Sequence, residues 1–229
     1  MRELNIKDFP NELLLVQFNF KEACEQVGEQ ILDKDTEENE RIEKEELPKF
    51  ADLLWSHIFE FQKILTHQEF KVEYFKKNNK EISEKKFNEE EYEGLLGRIY
   101  RSYGACVRDC LMSLQFQENL SQFGVDVRFN RTLDIEEGID ILLLHKGKKY
   151  GLNLYLDSPR SRGFKKYKDG DRHEHFDDVI IVNLPCPFGG RIVVGKDIWM
   201  YGIKDRNIVR EALGLPIIEQ GDGWVNDIL

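Results

Sequence analysis

The chain has 229 residues, of which 41% are hydrophobic and 33% charged, with a formal net charge of −10. That length buries a sizeable core, either as one large domain or as a helical part beside a mixed part. The charge argues against a globally basic nucleic-acid binder, and no run approaches the roughly 18 apolar residues of a membrane span.

The first residues, MRELNIKDFPNELL, lack the charged-then-apolar layout of a secretory signal, so a cytoplasmic protein is expected. Cys24, Cys106, Cys110 and Cys186 show no C-x-x-C spacing and read as buried free thiols rather than a zinc site or disulfides. Asp8, with Pro10 behind it, caps a start, and residues 11–45 are predicted to be mostly helical and strongly acidic from Asp33 to Glu46. A second helix is predicted from Pro48, with a wide apolar stripe of Phe50, Leu53, Leu54, Ile58, Phe59, Phe61, Ile64 and Leu65 that must be buried. His57 and His67 on this segment read as packing or surface residues rather than ligands. Phe70 to Lys86, charged and without a clear period, is expected to be a helix end followed by a linker.

From Asn88 a long amphipathic helix is predicted towards Asn119, with Leu95, Leu96, Ile99, Tyr100, Tyr103, Val107, Leu111 and Leu114 on one side and Gly124 suited to stop it. Glu89, Glu90, Glu91 and Glu93 crowd its first turn, where the helix dipole favours negative charge. Val125 to Phe129 alternates as a strand, Asn130 to Glu137 is turn-like, and Ile139–His145 with Tyr150–Asp157 makes a hairpin about Lys146–Lys149. Asp178 to Leu184 is a near-continuous apolar run suited to a strand covered on both faces. Arg191–Gly195 and Asp197–Ile203 form a further strand pair, and Asp205 caps a closing helix that ends at Gly214. The fold class is therefore α+β: an acidic helical region over residues 1–87, then an α/β core over 88–229 with a mixed sheet, one face of which the helix from Asn88 covers.

Residues 1–95 carry the whole net charge of −10, and the remainder is balanced. Within that balanced part, Lys146 to Arg172 holds nine Lys and Arg against Asp157, Asp169 and Asp171. The basic excess adjoins the hairpin. A two-residue loop at Lys146-Gly147 sets Asp140 opposite Asn153, and one at Gly147-Lys148 sets it opposite Tyr155. In either register Ile139, Ile141 and Leu143 share a face with Leu152, Leu154 and Leu156, and the other face puts Asp140 beside Asn153, Tyr155 and Asp157. A basic rim around an acidic centre suits a metal-dependent phosphodiesterase, in which cations hold phosphates and carboxylates hold the metal. A solvated lysine-rich loop explains the same charge run.

A long helix, a strand, a hairpin with Asp140 of Gly-Ile-Asp on its first arm and polar residues on its second, a basic crossover and a further apolar strand resemble the restriction-endonuclease-like core of the PD-(D/E)XK nuclease superfamily. The resemblance covers roughly residues 89–203. It implies that a first-arm aspartate and a second-arm acid hold Mg²⁺, while a lysine two residues beyond the second acid positions or activates the attacking water. Asp140 matches the first acid. The second half departs, because Asn153-Leu154-Tyr155 stands where E-x-K would fall. Asp157 is then the displaced second acid and Lys165 or Lys166 the migrated lysine, since Pro159 occupies the lysine position; Glu136 and Glu137 are alternative metal-side carboxylates. Arg160, Arg162, Lys165 and Lys168 are the expected phosphate contacts, interleaved with Phe164 and Tyr167, which stack on bases or pack the segment down. His173 in His173-Glu174-His175 serves as a general base if the basic segment folds back, although ordinary surface histidines in a turn explain that motif as well.

The implied activity is that of a Mg²⁺-dependent endonuclease cutting DNA, in defence against foreign DNA. The alternative is a catalytically inactive nuclease-like subunit that binds nucleic acid or partner proteins in a larger complex, and a third reading is a structural α+β protein whose hairpin acids are accidental. The acidic helical region, which repels DNA, is expected to dock a protein partner or to form homo-oligomers.

Overall fold

In the computed structural model, which describes residues 2–27, 40–157, 176–187, 192–194 and 198–219, helix ends follow local chemistry. Helices α1 (Phe20–Val27), α2 (Glu40–Lys44) and α3 (Phe50–Phe61) come first. Gln62 ends α3 in the left-handed region (φ 54°), and its side-chain amide donates to the carbonyls of Phe59 and Leu15 at 3.0 and 2.9 Å. Thr66 and Glu69 then cap each other reciprocally and start α4 (His67–Glu84). The expected linker over Phe70–Lys86 is thus the body of an 18-residue helix. Its buried positions, His67, Phe70, Tyr74 and Ile82, keep helical spacing but are too sparse to show a stripe, and the Tyr74 hydroxyl is anchored on the Pro48 carbonyl at 2.9 Å.

Asn88 and Glu91 form a second capping box, and α5 runs from Glu89 to Leu120. It is the axis of the molecule, touching α1, α2, α3 and α4 as well as the sheet. One continuous core joins Leu54, Trp55, Ile58, Phe70 and Tyr74 of the helical region to Leu111, Phe129 and Leu143 beyond it. The change in sequence character near residue 87 is therefore crossed by shared packing.

After Gly124 (φ 71°), the chain forms β1 (Asp126–Arg128), the short helix α6 (Arg131–Ile135), β2 (Ile141–His145), β3 (Lys148–Asp157) and β4 (Val179–Pro187). The sheet order is β1-β2-β3-β4, antiparallel between the first three strands and parallel between β3 and β4. Lys146 and Gly147, with φ of 49° and 75°, make the two-residue hairpin loop, in which both positions need positive φ. The register pairs Ile141 with Leu152 and His145 with Lys148. Strands β5 (Ile192–Val194) and β6 (Ile198–Met200) pair antiparallel as a separate ribbon, followed by α7 (Ile203–Ala212). Asp205 lies inside α7 and caps it from there, accepting the Gly202 N–H at 2.8 Å.

Both sheet faces are covered over their middle. Ile141, Leu143, Tyr150, Leu152, Leu154, Val182 and Leu184 join the main core beneath α5. On the other face Leu142 and Val179 pack with Leu4, Leu133 and Phe176 in a smaller core. Ile139, expected beside Ile141, belongs to that smaller core instead. Ile139 N–H bonds the Leu133 carbonyl at 2.9 Å, so Ile139 is held by α6 and the alternation is broken between it and Ile141. The architecture is α+β, a helical N-terminal part followed by a mixed sheet. Among the described residues no helix is long and apolar enough to cross a membrane.

Candidate functional site

Asp140 stands immediately before β2, against the middle of β3. Its N–H donates to the Leu152 carbonyl at 3.0 Å, and its carboxylate accepts the Leu154 N–H. Helix α6 brings a second acid to it. Asn130 fixes that helix by accepting from the N–H groups of Thr132 and Leu133 at 3.0 and 3.3 Å while its own amide donates to the Pro10 carbonyl at 3.0 Å. The placement sets the Asp134 carboxyl beside that of Asp140, near enough for each to act on the other's protonation. Two carboxyls placed side by side disfavour ionising together, which favours a proton on one of them. Burial, followed by the charges of Asp140 and Asp109, holds the Asp134 carboxyl well above the usual carboxylate range, and the Trp55 indole N–H, buried without a hydrogen bond of normal geometry, opposes the rise only slightly.

Helix α5 delivers the other two charged groups, Arg108 and Asp109. Arg108 is only 7% exposed, its Nε is sealed without a hydrogen-bond partner, and Asp109 Oδ1 lies 4.0 Å from it. Burial works against the Arg108 charge. Asp109, then Tyr201, Cys186 and Asp140, more than restore it, leaving the guanidinium more basic than usual. The Tyr201 hydroxyl donates to the Leu184 carbonyl at 3.0 Å. Thiol chemistry is suppressed: Cys24, Cys106, Cys110 and Cys186 form no disulfide, and burial pushes Cys24 up to about 12 and Cys186 up to about 11. The site is thus three aspartates and one arginine held between α5, α6, the start of β2 and the far end of β4.

The sequence-predicted residues divide between this place and others. Asp140 is at its centre. The register sets Asn153 opposite Asp140, but the Asn153 amide reaches across to Asn183 of β4 at 3.4 Å. Asp157 falls four residues beyond Asn153, about 13 Å along the strand at ~3.3 Å per residue, and so is not brought to Asp140. Both carboxylate oxygens of Glu137 are taken by the Arg2 guanidinium, at 2.8 and 2.5 Å. Glu136 lies 4.0 Å from Lys49. Arg160, Arg162, Lys165, Lys166, Lys168 and His173 lie outside the described residues. Among the described residues no group of three or more His, Cys, Asp or Glu side chains is arranged to hold a metal ion. Sequence reasoning missed Arg108, Asp109 and Asp134. The signal for the first two was a charged pair in Cys106-Val-Arg-Asp-Cys-Leu-Met112, where α5 becomes buried nearly all round.

No family model, curated protein or solved structure matches the chain.

Proposed function

We propose that the chain is a nuclease-like protein acting on DNA phosphodiester bonds, with Asp134 and Asp140 as the carboxylates that hold a divalent cation. Two features of the fold support the reading: the order helix, antiparallel meander, crossover and parallel strand, and an aspartate at the start of the central hairpin. The observation that carries it is the placement of Asp134 beside Asp140, where each carboxyl raises the cost of ionising the other. Two acids that disfavour ionising together are the groups a cation would relieve, and Mg²⁺ commonly takes only one or two protein carboxylates, filling its shell with water and substrate phosphate. The cation would supply a polarised phosphate and an activated water. The chain's own contribution is orientation: the Leu154 N–H aims the Asp140 carboxylate, and the capped α6 presents Asp134 to it.

A second reading, a catalytically silent nuclease-like subunit, is favoured by the amide of Asn153 where an acid is required. Incubation with supercoiled plasmid and Mg²⁺ or Mn²⁺ separates the two. The active reading expects cleavage that falls on the order of 10²-fold or more in Asp140→Ala and Asp134→Ala. Equal cleavage by wild type and both variants would come from a contaminant and removes the enzyme. DNA retardation without cleavage establishes the silent subunit. For either form, the groove of about 730 Å³ between α4 and the start of α5, which exposes Val72 and Tyr92, supports a protein contact through the helical region.

A further inference from the structure

The guanidinium of Arg108 is the group least accounted for by the fold. An arginine offers five N–H donors in a planar fork and cannot shed its charge. Buried arginines are therefore hydrogen-bonded or paired. Arg108 is 7% exposed and its Nε is fully enclosed with no acceptor. The ion-pair contact it makes among the described residues is a 4.0 Å approach to Asp109, the next residue on the same helix, whose side chain does not face it as an i+3 or i+4 partner would. Tyr201, Cys186 and Asp140 act on it through their charge rather than as hydrogen-bond partners: the Tyr201 hydroxyl donates to Leu184, and the Asp140 carboxylate accepts the Leu154 N–H.

From this we infer that Arg108 is the anion subsite beside the aspartate cluster and takes a phosphate oxygen of the ligand through its terminal Nη groups. The inference rests on the phosphodiester reading and adds the group that offsets repulsion between the substrate's phosphate and three aspartates. A phosphate suits the position because its oxygens accept two parallel N–H bonds from one guanidinium.

The test uses the full chain with ¹⁵N-labelled arginine, Ca²⁺ in place of Mg²⁺ to prevent turnover, and two probes, thymidine 3′,5′-bisphosphate and a short DNA duplex. Arg108→Lys removes one Nε–H resonance from the spectrum and so assigns it, while circular dichroism checks that the variant folds. The expected result is a saturable shift of that resonance with either probe, and a loss of at least tenfold in duplex affinity in Arg108→Lys at fixed salt. A shift with the bisphosphate alone places a free nucleotide rather than a DNA backbone phosphate on Arg108, and still supports the anion subsite. Duplex binding that leaves the resonance in place, with unchanged affinity in Arg108→Lys, overturns this inference and leaves the nuclease-like reading standing. If neither probe binds the wild-type chain, both fall together.

Discussion

Asp134→Asn isolates the proton held on this acid. The substitution is nearly isosteric, keeps a hydrogen-bonding group beside Asp140 and removes the need for protonation. In the wild-type chain burial, reinforced by Asp140 and Asp109, raises the Asp134 carboxyl well above its ordinary value of 3.8. The folded chain therefore keeps a proton that the unfolded chain has released. With more protons bound in the folded state, stability is greatest below the ordinary value and falls as pH rises, until the folded-state pKa is passed. One proton sets the slope at about 1.4 kcal/mol lost per pH unit. Urea unfolding of both chains between about pH 5 and 8 yields the two free energies at each pH. The stability of the D134N chain minus that of wild type should increase with pH at up to that slope and then level off. Mg²⁺ adds a second arm, because a ligand at one hundred times its Kd stabilises the native chain by about 2.7 kcal/mol. That gain is expected in wild type and should be reduced in D134N. A difference curve that is flat or declines with pH would refute the retained proton.

The helix start that the sequence concealed can be tested in the same assay. Thr66→Ala removes the side chain that accepts the Glu69 N–H at 3.2 Å and should cost about 1 kcal/mol. Glu69 is lowered to about 2, first by its hydrogen bond from Lys63 and then by the Thr66 backbone N–H. Its contribution is present above the ordinary value of 4.5 and is lost as pH falls towards about 2. Because the carboxylate is 42% exposed, that contribution is a fraction of a kcal/mol, and Glu69→Gln should flatten this part of the acid limb without abolishing the cap. An unchanged acid limb in Glu69→Gln would remove the Lys63 pairing from the account. Gly151→Val tests the smaller core: a Cβ there meets Ile181 Cδ1 at 3.1 Å, Val179 Cγ1 at 3.2 Å and Ile139 Cδ1 at 3.3 Å. Overpacking of this kind typically costs about 1–3 kcal/mol, and a thermal melt equal to wild type would show that Ile139 does not sit against β3.

The hairpin was legible because its information is local. Period two marks the arms, and the constant sum across an antiparallel pair leaves a choice of two registers. What chose between them was Lys146 adopting positive φ beside Gly147, which a lysine does not announce. The fourth helix was hidden for a related reason. Its few buried side chains are stabilised by partners distant in sequence, such as the Pro48 carbonyl on Tyr74 and the ring of Tyr103 on Phe70. At the site, Asp140 could be read from its strand, but parity alone could not say how far Asp157 lay along the neighbouring arm, nor that the alternation breaks between Ile139 and Ile141. Asp134 carried no local mark. Its position depends on Asn130 holding both α6 and the Pro10 carbonyl, a contact 120 residues apart. Arg108 and Asp109 differ from all of these. A helix enclosed on nearly every side has no polar face on which to place charge, so a charged pair inside Cys106–Met112 must answer to something other than solvent. That argument needs only the helix and its burial, and it points to the same place as the hairpin does without relying on the letters of any motif.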